Sequence, residues 1–287
     1  RRQRQMCIRD SFCGSIGWMN PDGTGSWNVA IRSAVIDRAR GRGRLFVGGG
    51  IVGDSIAERE WAEILVKREP FARLCPEFDL IETMRRDADG TYQRLERHMA
   101  RLRTSADALQ FAFEEERARR ALAEIVAGER LIVRLRLLTD GTVVAQTRAF
   151  EALGEPPAIM LASQRVDSGD PLLRHKTSYR PVHDAALGQA FEAGCFDALL
   201  VNERNEVCEG ARSSIVIEDE HGCWTPPLAC GLLPGVMREE LLASGFIAER
   251  VLSIDDVLNA RQLFVANSVR GLIPVRLAAC HRPCVAT

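Results

Sequence analysis

Lysine is scarce in this chain: arginine supplies nearly all the positive charge, with lysine at Lys67 and Lys176. No apolar run approaches the length of a bilayer span, and no charged-then-apolar leader opens the chain, so neither a membrane span nor a secretion signal is expected. Excess charge is missing as well. The 287 residues carry a formal net charge of −1, which argues against a general nucleic-acid partner. The nine cysteines are odd in number and contain no Cys-x-x-Cys pair, which argues against a disulfide framework and a structural zinc site. Reduced thiols in a cytoplasmic protein are the expectation.

Apolar sequence is ample. At 46% hydrophobic, the chain can fill one large core or two ordinary ones. Residues 1–9 are basic and unpatterned and read as an extraneous leader; position 1 is not methionine, so a fragment is expected. Strands are predicted over Cys13–Trp18 and Trp27–Arg32, joined at Asn20-Pro21-Asp22-Gly23. The run Gly48-Gly49-Gly50 lets backbone N–H groups approach an anion. A helix is predicted from Ala57 to Arg68. Glu60 and Glu63 share one of its faces, with Lys67 one turn on.

Together these segments resemble the C-terminal end of the chorismate-binding enzymes. The resemblance implies that Arg32 and the backbone of Gly49 and Gly50 hold substrate carboxylates. It implies that Glu60 and Glu63 hold magnesium, and it includes Lys67 in the motif. Only the tail of such a domain is present, so residues 1–70 are expected to be a remnant without chorismate chemistry of its own. A longer fusion of this kind is expected to work with a glutamine amidotransferase subunit.

Residues 71–77 read as a linker. Beyond it come a strand over Phe78–Arg85 and a helical stripe of Leu95, Met99, Leu102, Ala106 and Leu109. A charged helix follows over Phe113–Ala127, then a hairpin of Leu131–Leu138 with Thr142–Phe150 turning at Asp140-Gly141. Further strands are predicted at Ile159–Ser163, Asp197–Asn202, Val207–Ile217, Val251–Ser253 and Gln262–Ala266, with a helix over Val182–Ala193. The class is therefore α/β (α+β).

Lys176 stands between Pro171 and Pro181 beside Arg174, His175 and Arg180. A nucleophilic lysine needs a desolvated or cationic pocket that frees its amine, and these neighbours could supply one; a basic surface turn is the plainer alternative. Glu209-Gly210 at a strand entrance places one carboxylate. Leu233-Pro234-Gly235 opens a helix whose first N–H groups, at Val236 and Met237, can bind phosphate. Asn267-Ser268-Val269 offers a second set of donors.

The order and spacing of these residues resemble the class IV pyridoxal-phosphate enzymes over roughly residues 78–277. The fold implied is a two-domain fold-type IV enzyme, with residues 78–165 as the small domain and 166–287 as the large one. Its relatives are commonly homodimers. The resemblance implies that Lys176 carries pyridoxal 5′-phosphate and shuttles a proton, that Glu209 keeps the pyridine nitrogen protonated, and that Arg101 binds the phosphate. Val236, Met237, Ser268 and Val269 complete the phosphate cup. His183 stands where some relatives place a tyrosine near the phenolic oxygen. Thr83 and Asn267 look like those of aminodeoxychorismate lyases, where the threonine takes part in proton transfer and the asparagine contacts substrate. Arg85 matches too. The alternatives are an amino-acid aminotransferase of the branched-chain or D-amino acid type, and a non-catalytic chorismate-binding fragment.

Overall fold

The structure, a computed structural model, describes residues 15–278 apart from 30, 32, 38–41, 50–54, 73–75 and 127. The chain divides into two compact units between Glu77 and Phe78.

The first unit holds two separate hairpins. Strands β1 (Ser15–Met19) and β2 (Gly25–Val29) pair antiparallel, as do β3 (Ser33–Asp37) and β4 (Arg42–Phe46). The first turn is fixed by Asp22, whose Oδ1 accepts from Thr24 N at 2.9 Å and Thr24 Oγ1 at 2.7 Å. Helix α1 (Ala57–Ala72) runs past the predicted end at Arg68 and through Pro70 into the expected linker. A proline in the last turn forfeits one backbone hydrogen bond and need not stop the helix. Trp18 and Trp27 on the first hairpin and Trp61 on the helix are each about 60% exposed, and Ile36 on the second hairpin is 70% exposed, so each hairpin and the helix keep apolar surface uncovered.

The second unit starts with β5 (Leu80–Arg86), β6 (Leu131–Leu137) and β7 (Val143–Ala149), an antiparallel sheet in that order. Strand alternation sorts β5: Leu80 and Met84 join the core, while Ile81 and Thr83 face the other side. Helices α2 (Leu95–Leu109) and α3 (Glu115–Ala123) close that core with Met99, Leu102, Ala106, Ala118 and Leu122. Helix α3 stops at Ala123, short of Gly128, with Glu124 as its C-cap.

The larger sheet has eight strands. In chain order they are β8 (Ala158–Val166), β9 (Asp197–Asn202), β10 (Val207–Gly210), β11 (Ser214–Asp219), β12 (Gly222–Thr225), β13 (Ala248–Glu249), β14 (Gln262–Asn267) and β15 (Gly271–Leu277). Their spatial order is β10-β9-β8-β15-β14-β11-β12-β13. Helices α4 (Pro181–Glu192), α5 (Val236–Ala243) and α6 (Ile254–Leu258) belong to the same half.

Two expectations are corrected here. Strand β8, assigned from sequence to the small domain, pairs in parallel with β9 and β15, so the larger sheet starts before residue 165. Parallel pairing joins distant segments and leaves no local sign. Val251–Ser253 is not a strand. Leu252 is fully buried, and its carbonyl takes a single hydrogen bond from Val207 N at 2.8 Å. Cys195, Cys208, Cys223 and Cys230 are all free thiols. Among the described residues, no helix is long and apolar enough to cross a membrane.

Candidate active site

Lys176 lies in an extended stretch between a 3₁₀ turn (Pro171–Arg174) and α4, which begins at Pro181. Asp170 caps the turn by accepting from Leu172 N at 2.8 Å. The stretch then adds itself to β5. Ile81 N donates to Lys176 O at 2.8 Å, Ser178 N donates to Asp79 O at 2.8 Å, and Asp79 N donates to Ser178 Oγ at 2.9 Å. The lysine backbone is therefore fixed. Its side chain lines a cavity of about 1100 Å³ and is accessible only in part. Burial, helped by Arg180 and Arg101, brings its pKa from 10.5 to about 7 against the opposing pull of Glu82 and Glu209. A large share of this amine is unprotonated near neutrality, as a nucleophile or base requires.

Beneath the cavity floor lies a charged cluster that sequence reasoning did not assemble. Arg101 donates Nε to Glu82 Oε1 at 2.8 Å and Nη2 to Oε2 at 2.6 Å, and its Nη1 to Pro234 O at 3.0 Å. His98 Nδ1 stands 2.6 Å from Glu82 Oε2. A carboxylate only accepts, so this nitrogen carries the proton. The opposite nitrogen, Nε2, lies 2.5 Å from Ser268 Oγ. Burial would raise the Glu82 pKa, but Arg101 and His98 outweigh it and hold the carboxyl at about 2. Arg94 adds a second tie. It donates Nε and Nη2 to the two Glu240 oxygens at 2.6 and 3.0 Å, joining the start of α2 to α5. The signals were present: a glutamate on the core face of β5, and His98 and Arg101 three apart on α2.

Glu209 closes β10 and is 4% exposed, with one oxygen 3.0 Å from His183 Nε2. His183 thus engages the carboxylate. The next residue, Gly210, leaves room for a buried pair: a Cβ there would stand 2.5 Å from Asp197 Oδ2 and 2.6 Å from Ser213 Oγ and would displace them. Gly235 caps α5 without a side-chain bond, leaving the N–H groups of Val236 and Met237 no partner within the helix. Both residues line the cavity beside Arg101, Ser268 and Thr83.

Asn267 and Val269 also line the cavity, but their polar groups are turned to each other. Asn267 Oδ1 accepts from Val269 N at 3.1 Å and Arg270 N at 2.9 Å. The Val269 N–H therefore closes a turn, and the amide nitrogen of Asn267 is left to meet a bound molecule. Arg85 is drawn to Asp87, with Nε 3.0 Å from its Oδ1.

In the first unit, Gly49, Glu60, Glu63 and Lys67 come together. Ser55 Oγ donates to Glu60 Oε1 at 2.6 Å, Lys67 Nζ donates to Gly48 O at 3.2 Å, and Lys67 pairs with Glu63. A Cβ on Gly49 would stand 3.2 Å from Glu60 Oε2. Arg32 and Gly50 lie outside the described residues. Among those described, no group of three or more metal-ligating side chains occurs, and one of the two carboxylates is taken by Lys67.

A near-neutral lysine amine, a buried carboxylate and an uncapped helix start in one cavity suit a cofactor that carries both an aldehyde and a phosphate. Comparison with known proteins gives the class. Residues 79–278 match the Amino-transferase class IV family, and the chain belongs to that family. Residues 2–73 match the chorismate binding enzyme family.

A Mesorhizobium loti structure titled "Putative amino-acid aminotransferase" is similar, with 40% identity, a TM-score of 0.68, 70% of this chain covered and 100% of the other. The "Putative aminodeoxychorismate lyase" of Schizosaccharomyces pombe is 29% identical over 63% of this chain and 83% of its own length. The "Probable branched-chain-amino-acid aminotransferase" of Thermotoga maritima is 31% identical over 46% of this chain, spanning under half (44%) of that relative. The first unit is similar to the "Salicylate biosynthesis isochorismate synthase" of Pseudomonas aeruginosa at 39% identity, but spans only 13% of it.

Proposed function

We propose that residues 78–278 form a pyridoxal-phosphate-dependent lyase that converts 4-amino-4-deoxychorismate to 4-aminobenzoate and pyruvate. The carrying observation is that Thr83 shares the cavity wall with a lysine whose pKa is about 7. The residues fit the cofactor. Arg101 and the first N–H groups of α5, at Val236 and Met237, would hold its phosphate with Ser268. Glu209 would face its ring nitrogen. When bound, the cofactor supplies an aldehyde for the substrate amine and a conjugated ring that accepts an electron pair.

The chain's own groups do the rest. Lys176 Nζ takes the proton from the carbon bearing the amine. Loss of that proton lets the neighbouring carbon–oxygen bond break, the pyruvyl enol leaves with the bonding pair, and the six-membered ring becomes aromatic. A hydroxyl such as Thr83 Oγ1 hands a proton to the enol carbon, giving pyruvate. The Asn267 amide contacts substrate. Glu82 keeps Arg101 in place from behind through its two hydrogen bonds. A homodimer is part of this reading.

A second reading is transamination of an amino acid, favoured by the likeness to the Mesorhizobium loti structure. Offering the purified protein 4-amino-4-deoxychorismate in one series, and amino acids with 2-oxoglutarate in another, separates the two. Release of 4-aminobenzoate with loss of at least about 10³-fold in Lys176→Ala supports the lyase. Turnover in the amino-acid series alone sinks it.

A further inference from the structure

We propose that Arg148, Arg212 and Arg270 form an anion subsite in the cavity wall, built to take the second carboxylate of a dianionic substrate. The substrate choice rests on the lyase reading; the subsite does not.

The three side chains come from separate elements: β7, the turn between β10 and β11, and the turn between β14 and β15. All three line the cavity. Arg212 and Arg270 are held by neutral groups, and Arg148 lies on an exposed position of β7. Arg212 donates Nη2 to the Phe196 carbonyl at 2.5 Å and lies 4.0 Å from that ring's centre. Arg270 donates Nη1 to the Glu151 carbonyl at 2.5 Å and stacks over Phe150 at 4.9 Å. Such contacts aim a guanidinium without cancelling its charge. Among the described residues, no carboxylate forms an ion pair with any of the three. The Asp197 charge favours Arg212, but its oxygens already accept from Ser213 Oγ and Ala198 N.

Charge without compensation has a cost here. Burial depresses the Arg212 pKa, and Arg270 and Arg148 push it down further while Asp197 resists. Arg270 is depressed by burial and by Arg148, while Glu151 resists. Arg212 Nε is buried and has no hydrogen-bond partner. An arriving carboxylate would relieve the mutual repulsion, and a guanidinium fork can hold it with two parallel N–H donors. Arg101, deeper in the same cavity, differs because Glu82 neutralises it. The cofactor phosphate and the substrate carboxylate therefore meet separate cations.

The probes are benzoate, with one carboxylate, and isophthalate, with two, titrated into the holoenzyme and followed by its visible absorbance and by calorimetry. Isophthalate is expected to bind at least about tenfold tighter than benzoate, with an advantage that shrinks as salt rises. Arg212→Gln combined with Arg270→Gln is expected to erase the advantage while the visible band persists. Should that double variant fail to fold, Arg148→Gln on an exposed strand position is expected to lower it alone. Equal binding of the two probes, or an advantage that survives these substitutions, overturns the subsite. Preference for isophthalate without release of 4-aminobenzoate keeps the subsite and sinks the lyase reading.

Discussion

Glu60 and Glu209 are both glutamates singled out by sequence motifs, and their surroundings are opposite. Glu60 sits on a helix whose neighbours Trp61, Leu65 and Val66 are 62%, 42% and 66% exposed. Glu209 is 4% exposed and shares a cavity with Lys176, Arg101 and Ser268. Spacing alone preserves a motif, and both motifs are preserved. Chemistry also needs a walled space in which water is displaced and charges shift one another. Only the second unit supplies that among the described residues.

The sharpest way to break this contrast is Glu82→Gln in the second unit. Removing one member of a buried pair leaves Arg101 unneutralised, at a cost of about 3–5 kcal/mol. Urea unfolding should show that loss, together with weakened cofactor binding. A loss under about 1 kcal/mol would mean the charge cluster is dispensable.

A more gradual effect, spread over several pH units, follows from Lys176. In the cofactor-free protein its pKa is about 7, against an ordinary value of 10.5. Between those values the unfolded chain holds a proton that the folded chain lacks. Stability should therefore rise with pH across that window, by up to about 1.4 kcal/mol per pH unit. Below it the penalty for the buried amine is fully present. Lys176→Met should flatten the slope, and an unchanged slope would mean the amine is not desolvated.

The smallest effect belongs to the first unit. Glu60→Gln with Glu63→Gln should leave 4-aminobenzoate release unchanged, within about 0.5 kcal/mol of activation free energy. A larger drop would assign the first unit a part in the reaction.

Some of this was legible in the sequence because it is local. The hairpin of β6 and β7 announces itself through alternation and Asp140-Gly141. The order of Lys176, Glu209 and Gly235 along the chain outlined the site. What escaped is what distance assembles. Glu82 reaches His98 and Arg101 across 16 and 19 residues, and His98 reaches Ser268 across 170. A glutamate on the core face of a strand signals that a partner is needed, but not which distant residues supply it. Val269 was expected to present its N–H to a phosphate, and Asn267 its side chain to substrate. The turn between β14 and β15 uses the one to satisfy the other. Side-chain capping of a turn takes up the Val269 N–H and Asn267 Oδ1, which leaves the Asn267 amide nitrogen for the substrate contact of the proposed reading.

The backbone bonds that fasten residues 176–178 onto β5 act as a rivet. The segment bearing the amine is the same segment that pins the small sheet to the large half. Prising the two sheets apart would drag Lys176 from its neighbours, so a productive enzyme cannot breathe at this seam.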